Sequence, residues 1–157
     1  MNKAPLSSNK NDWRTPKKVL DVVRKVGPIK LDPCASKDKR HWFAELNWTD
    51  YNEENYDAPV DGLSFMNPPY GRKIDDWVDR WHDGFAEGII ALLPARPGSC
   101  WYREMWSTSE AYCFWNGRIT FVGAPSPAPF PSIFFYKGKR KWKFCDVFSQ
   151  HGDVGIL

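Results

Sequence analysis

Residues 63–71, which read LSFMNPPYG, decide the fold of this chain. Residues 63–66 are a short, mainly apolar run and predict a buried strand. The strand must end at Asn67-Pro68-Pro69-Tyr70, because two successive prolines fix the backbone and remove two hydrogen-bond donors. A helix follows, in which apolar residues recur at helical spacing until Gly84 ends it. Those apolar residues are Ile74, Trp77, Val78 and Trp81.

A helix and a strand precede this unit. Thr15 is suited to cap a helix whose first residue is Pro16 and which Gly27-Pro28 ends. Its apolar face consists of Val19, Val22, Val23 and Val26. Ile29–Asp32 then predicts a short strand that runs into residues 32–35, DPCA. Residues 36–62 are polar and rich in aromatic side chains, and we predict only one short strand there, near residues 42–46.

The remaining sequence predicts further strands. Residues 88–94, GIIALLP, are typical of a fully buried strand. Ser99 is suited to cap a helix over residues 100–107. Asn116-Gly117 is typical of a hairpin turn, here joining Ala111–Trp115 to residues 118–122. A proline-rich segment, residues 123–131, leads to two last strands, at residues 132–137 and 142–148.

Strands that alternate with helices predict an α/β domain with a mostly parallel sheet and a C-terminal antiparallel hairpin. Residues 13–157 are expected to form this one domain, after a loose N-terminal segment of residues 1–12. The stretch from Asp32 to Asn67 is short, so we expect a reduced or irregular middle of the sheet. Open α/β sheets bind ligands at the carboxyl ends of their strands, where residues 32–35 and 67–70 both lie.

Composition narrows the functional classes. The 157 residues carry a net charge of +3, which permits a nucleic-acid partner without requiring one. The four cysteines form no Cys-x-x-Cys pair and the three histidines are scattered, so we expect neither a metal site nor a disulfide framework. Because the sequence has no apolar run of about 18 residues and no signal peptide, we expect a cytoplasmic protein.

The Asn67-Pro68-Pro69-Tyr70 segment combines features that suit a planar amino compound. Asn67 offers a side-chain carbonyl, Pro68 a free backbone carbonyl and Tyr70 a flat face. A ring with an NH₂ group can stack on Tyr70 and donate its two hydrogens to these oxygens. The oxygens favour positive charge on the nitrogen, which can then attack an electrophile without a strong base. The alternative is a loop that the prolines merely stiffen.

Five short segments occur in an order that resembles a known family. They are similar to the phage-type DNA N-6-adenine methyltransferases, the small Dam family, over about residues 12–137. The segments are Trp13-x-Thr15-Pro16, Asp32-Pro33-Cys34-Ala35, Asn67-Pro68-Pro69-Tyr70-Gly71, Leu92-Leu93-Pro94-Ala95 and Gly117-Arg118-Ile119-x-Phe121. The resemblance implies a single Rossmann-like class I methyltransferase domain. It also implies metal-free methyl transfer from S-adenosylmethionine to N6 of adenine in DNA, with catalytic residues Asn67, Pro68, Pro69 and Tyr70.

The resemblance further implies a cofactor site. The residues concerned are Trp13, Thr15, Pro16, Asp32, Cys34, Ala35, Asp61, Leu63 and Asn67. Asp32 would bind the amino group of the methionine moiety, and Trp13 would offer an aromatic face to the sulfonium. Asp61 would accept from the cofactor's adenine. Either Glu45 or Asp50 would hold the ribose.

The implied DNA contacts are Tyr70, Arg72, Arg96, Arg118 and Phe121. A target base in a duplex must be flipped out to reach Tyr70. A basic run surrounds Trp142 and suits either phosphate contacts or a solvated hairpin tip; it comprises Lys137, Lys139, Arg140, Lys141 and Lys143. Without a separate recognition domain we expect a short recognition site, in either duplex or single-stranded DNA. For a phage-encoded protein, the expected role is evasion of restriction in the bacterial host cytoplasm.

Two alternatives remain open at this stage. Methylation of RNA or of a protein amide nitrogen would use a similar pocket. The second alternative is a nucleic-acid-binding relative without catalytic activity. It is supported by residues 36–39, SKDK, which lack the glycine-rich turn that often follows the first cofactor segment.

Overall fold

A computed structural model describes residues 13–49 and 59–157 and shows a mixed α/β fold. The helices in these ranges are α1 (Lys17–Val26), α2 (Ile74–Asp83), α3 (Cys100–Thr108) and α4 (Lys141–Phe148). The strands are β1 (Ile29–Asp32), β2 (Leu46–Asn47), β3 (Val60–Met66), β4 (Ala86–Pro94), β5 (Ala111–Trp115), β6 (Ser132–Gly138) and β7 (Gly152–Ile156). A 3₁₀ turn, Lys39–His41, lies between β1 and β2.

The strands form one sheet in the order β2-β1-β3-β4-β6-β5-β7. β1 to β5 run in the same direction, whereas β6 and β7 are antiparallel to their neighbours. The predicted mostly parallel α/β sheet is therefore confirmed. The strand order reverses between β1 and β3, because the chain moves outwards from β1 to β2 but in the other direction from β3 to β4. Open α/β sheets bind ligands in the crevice at such a switch point.

The helices pack in two pairs, α1 against α4 and α2 against α3. The apolar faces predicted for α1 and α2 are the buried faces, so the helical periodicity located both elements correctly. β4 is central, and residues 88–94 are buried as predicted. Within the described ranges, no helix has the length and apolar character that a bilayer crossing requires.

The hairpin predicted at Asn116-Gly117 is wrong. Gly117 does turn the chain, with a φ of 72°, but residues 118–122 form no strand. Both edges of β5 are already paired, with β6 on one side and β7 on the other, so no edge is left for a further strand. Residues 118–131 leave the sheet instead, and Ile119 and Phe121 become buried outside it.

The strand predicted at residues 142–148 is also wrong, because these residues belong to α4. Their aromatic and β-branched side chains favour a strand. However, the buried positions Phe144, Val147 and Phe148 follow helical spacing, and burial of that face decides the structure. The last strand is β7, further along the chain.

Two smaller predictions are corrected as well. Pro16, not Thr15, occupies the N-cap of α1. Ser99 occupies the N-cap of α3, but its hydroxyl donates to the Arg96 carbonyl instead of capping the helix. The expected irregularity in the middle of the sheet is present, because the register shifts between β1 and β3 and between β3 and β4, and the sheet is also reduced at its edge, in the two-residue strand β2. The predicted loose segment, residues 1–12, lies outside the described residues.

Candidate active site

The carboxyl ends of β1 and β3 meet the segment that precedes α1 and form a cleft at the switch point. Asp32 and Cys34 follow β1, and Asn67 follows β3. The cleft is lined by Trp13, Arg14, Thr15, Asp32, Cys34, Ser36, His41, Phe43, Asn67 and Val122. Five of the residues that the sequence predicted for the cofactor site are thus brought together. Pro16 lies beside them at the start of α1, and Ala35 is buried behind Cys34.

The side-chain amide of Asn67 is held in one orientation. Its Nδ2 donates to the Trp13 carbonyl at 2.5 Å and to Thr15 Oγ1 at 2.9 Å. Both amide hydrogens are therefore used, and Oδ1 is left as the remaining polar atom. Oδ1 is buried and accepts no hydrogen bond from any described residue. Because buried polar atoms are nearly always paired, this oxygen is an acceptor that a ligand N–H could meet.

The Asp32 carboxyl group is buried at the floor of the cleft, with 5% of the residue exposed. Burial raises its pKa to about 7, against the smaller, lowering effect of the hydrogen bond that the Cys34 backbone N–H donates. That N–H lies 3.0 Å from Asp32 Oδ1. A carboxylate in this position is poorly solvated, so it favours a cationic ligand group.

The Cys34 thiol stays protonated. Burial raises its pKa well above the ordinary value, the neighbouring Asp32 charge raises it further, and the Asn67 backbone N–H lowers it only in part. A neutral thiol is a weak nucleophile, so Cys34 contributes packing and shape to the cleft.

Tyr70 lies in a cluster of four aromatic rings beside Asn67. Its ring is packed edge-on by Phe121 and Phe130, with centroid distances of 6.5 and 5.6 Å. Trp13 completes this aromatic cluster, 5.3 Å from both phenylalanines. The Tyr70 hydroxyl donates to the Leu92 carbonyl at 3.2 Å, and only 4% of the residue is exposed. Phe130, from the proline-rich segment, thus packs against the predicted base-stacking ring.

The two prolines predicted to be catalytic differ in exposure, and the arginines predicted to contact DNA lie beside the aromatic cluster or on exposed loops. Pro68 is buried, whereas Pro69 is exposed. Arg96 places its guanidinium 5.8 Å from the Phe130 ring, next to the aromatic cluster. Arg72 and Arg118 are exposed on the loops that follow Tyr70 and Gly117.

Asp61 and Leu63 are not brought into the cleft. They lie at the start of β3 and line a separate cavity at the amino ends of the strands. About six residues of extended strand, or about 20 Å, separate Asp61 from Asn67. We therefore leave both out of the proposed cofactor site. Glu45 forms an ion pair with Lys30 at 2.6 Å, and Asp50 lies outside the described residues.

Sequence reasoning missed several residues at this site. Phe130 was counted only as part of a proline-rich loop. Arg14 and His41 line the cleft and contact each other at 2.6 Å. Asn47 pairs with Asp32 across β1 and β2, and its Oδ1 is buried without a hydrogen bond from the described residues. Its position at the end of β2 was the one available signal.

Within the described ranges, no group of histidine, cysteine and carboxylate side chains is arranged to hold a metal ion. Comparison of the chain with curated proteins found no match, and neither did comparison with solved structures. A model of the DNA N-6-adenine-methyltransferase (Dam) family matches residues 3–130, most of the chain, including every segment that lines the cleft. The chain therefore belongs to the DNA N-6-adenine-methyltransferase (Dam) family.

Proposed function

We propose that the protein is a site-specific methyltransferase that uses S-adenosylmethionine to methylate N6 of adenine in DNA. Residues 13–157 would form one Rossmann-like class I domain around the crevice between β1 and β3. Membership of the family supports the reaction. The reversal of strand order at that crevice supports the domain type.

The observation that carries the proposal is the Asn67 amide. Its nitrogen is occupied by Trp13 and Thr15, so the buried Oδ1 is the atom left to meet an incoming N–H donor. An exocyclic NH₂ group supplies such a donor. A second hydrogen bond would come from the Pro68 carbonyl, as the sequence predicted.

The other residues of the cleft suit S-adenosylmethionine. When bound, this cofactor supplies an electrophilic methyl group on a sulfonium sulfur. The buried Asp32 carboxylate would bind its ammonium group, and Trp13, Thr15 and Pro16 would border its methionine part. Cys34, Ala35 and Asn67 would shape the remaining wall.

The protein would contribute to catalysis by positioning the target amino group and by stabilising the charge that develops on its nitrogen. Asn67 Oδ1 and the Pro68 carbonyl would hold the amino nitrogen and favour the positive charge that it acquires; the nitrogen then loses its proton to solvent. Pro69 would keep the turn rigid. Tyr70 would stack on the flipped base, which requires Phe121 or Phe130 to move from the Tyr70 ring. Arg72, Arg96 and Arg118 would contact DNA phosphates.

The test is incubation with labelled S-adenosylmethionine and unmethylated DNA, followed by identification of the modified nucleoside. We expect N6-methyladenine from the wild-type protein and at least a hundredfold lower rate from Asn67→Ala, by analogy with the loss of a hydrogen-bonding group that stabilises transition-state charge. Asn116→Ala is the matched control, because Asn116 is an exposed asparagine that does not line the cleft.

Parallel incubations with RNA and with protein separate the alternatives. Label in either of them but not in DNA would contradict the proposed substrate. Equal rates for Asn67→Ala and Asn116→Ala would contradict the proposed catalytic residue.

A further inference from the structure

A second surface stands out at the other end of the sheet, at the turn from β6 into α4. We call it the Trp142 patch, and it consists of Lys139, Arg140, Lys141, Trp142 and Lys143. Trp142 is 70% exposed, whereas the other exposed large hydrophobic side chains in residues 13–49 and 59–157 reach at most 45%. Tryptophan seldom stays in water without a partner, since its burial contributes strongly to stability. This side chain is therefore available to stack on a ligand.

The patch is strongly positive. Within the described ranges, none of its four cations forms an ion pair. The nearest acidic residue along the helix is Asp146, one turn after Trp142, and two acidic residues, Asp61 and Glu87, line the cavity that Lys139 and Arg140 also line, so the patch keeps a net positive charge. α4 also begins here without an acidic residue in its first turn and without a side-chain cap. The positive end of the helix dipole thus adds to the side-chain charge.

Lys137, the first lysine of the basic run, does not belong to the patch. Its Nζ donates to the carbonyls of Trp81 and His82, at 2.9 and 3.1 Å, and so occupies the C-terminal end of α2. The structure therefore divides the run into one structural lysine and four cations that surround an exposed indole.

The patch lies far from the cleft. β6 begins where Ser132 pairs with Pro94, near the cleft, and ends where Gly138 pairs with Gly88. The six residue steps between these pairs span about 20 Å. A ligand on the patch is therefore not the ligand of the catalytic cleft.

We propose that the Trp142 patch binds single-stranded DNA outside the catalytic site. The indole stacks on an unpaired base, and Lys139, Arg140, Lys141 and Lys143 contact phosphates on either side. Single strands are favoured over duplex because the face of a base is accessible only when it is unstacked. The choice of DNA over RNA rests on the proposed function, whereas the stacking surface does not.

The test measures binding of a fluorescent 20-nucleotide single strand by anisotropy, with full-length protein and no cofactor. Trp142→Ala is expected to weaken binding about tenfold, in line with the removal of one base–aromatic stack, and Trp142→Phe to restore most of it. The double variant Lys141→Gln/Lys143→Gln should flatten the slope of log Kd against log salt by about 1.4, which is about 0.7 for each phosphate that is no longer neutralised.

Lys18→Gln/Arg103→Gln is the matched control, because it removes two exposed charges, one from α1 and one from α3, that do not line the cavity beside the patch. Equal losses of affinity in the two double variants would overturn the proposal, and so would an unchanged Kd in Trp142→Ala. Tighter binding of an RNA strand of equal length would overturn the choice of DNA.

Failure of this proposal is distinguishable from failure of the proposed function. The tenfold effect of Trp142→Ala is expected to persist in an Asn67→Ala background, because the two residues lie at opposite ends of the sheet. Protein that binds DNA through Trp142 but methylates nothing would contradict the proposed function alone. Protein that methylates DNA with no dependence of binding on Trp142 would contradict the patch alone.

Discussion

At the scale of the residue, the hydroxyl of Thr15 has a different role from the helix cap that the sequence predicted. It accepts one of the two hydrogen bonds that orient the Asn67 amide. Thr15 is thus a positioning residue, which acts on the proposed reaction through Asn67. The sequence could identify Thr15 as a polar residue before a helix, but the partner of its hydroxyl lies 52 residues away in the chain.

Thr15→Val should lower kcat about fivefold with little change in KM for DNA, because one neutral hydrogen bond contributes about 1 kcal/mol to holding the amide. Thr15→Ser keeps the acceptor and should restore kcat. Steady-state kinetics of both variants checks this expectation. A fall in kcat that serine does not reverse would indicate a packing role for the threonine methyl group instead.

Asp32 should make the protein less stable as pH rises. Its pKa is about 7 in the folded protein and near the ordinary 3.8 when unfolded, so the folded state binds the proton more tightly. The free energy of unfolding therefore contains a contribution that is complete below pH 4 and is lost as pH rises to about 7. Asp32→Asn should remove this loss and raise the free energy of unfolding at pH 8 by about 4 kcal/mol.

Urea unfolding of wild type and Asp32→Asn at pH 4 and pH 8 measures this difference. Parallel pH profiles for the two proteins would contradict it. Under the proposed function, Asp32→Asn should also lose affinity for S-adenosylmethionine. Asp32 would then lower the stability of the fold and bind the cofactor.

At the scale of the element, Lys137 and Lys139 should behave differently although one residue separates them. Lys137→Met removes the ammonium group from the carbonyl end of α2, and we expect a loss of about 1 kcal/mol in the free energy of unfolding with DNA binding unchanged. Lys139→Met should leave stability unchanged and weaken DNA binding. Chemical denaturation and anisotropy on both variants test the pair, and similar behaviour of the two would contradict this division.

Elements were predictable where local pattern and tertiary packing agree. The valines of α1 recur at helical spacing and β4 is a continuous apolar run. In both elements the side chains that these patterns mark are the buried ones. Prediction failed where the local sequence favours one structure but a contact with a distant part of the chain requires another. Asn116-Gly117 favours a hairpin, but β7 takes the edge of β5 that the hairpin needed. No local pattern marks β7, whose Gly152 allows the backbone to pass directly beside the Phe114 carbonyl.

The candidate site was predictable to a similar extent. Asp32 and Asn67 were found because they follow strands, and parallel strands end at one edge of a sheet. Asp61 was misplaced because no local pattern marks the start of β3, which begins three residues before Leu63. The role of Phe130 depends on where residues 123–131 pack, and proline content alone does not determine that position.

At the scale of the whole molecule, the cleft and the Trp142 patch lie about 20 Å apart along the sheet. At the spacing of about 3.4 Å per nucleotide of a stacked strand, a strand that reaches both must extend about six nucleotides beyond the target adenine, and a more extended strand needs fewer. We therefore expect KM to rise when the flanking DNA is shortened below about six nucleotides. This dependence on length should be absent in Trp142→Ala, and kinetics with a series of shortened oligonucleotides would reveal it. A length dependence that is identical in both proteins would contradict a link between the two surfaces.

The hydrogen bonds that close the cleft also determine when it can form. Asn67 binds the Trp13 carbonyl across 54 residues of chain, and the Val122 backbone N–H donates to the Arg14 carbonyl across more than one hundred. Contacts so distant in sequence form slowly and late in folding. A ribosome adds about 5–20 residues per second, so residues 13–16 emerge several seconds before Val122 exists. The nascent chain therefore carries half a cleft until Val122 has been made, and it cannot complete the cleft that would hold a ligand before then.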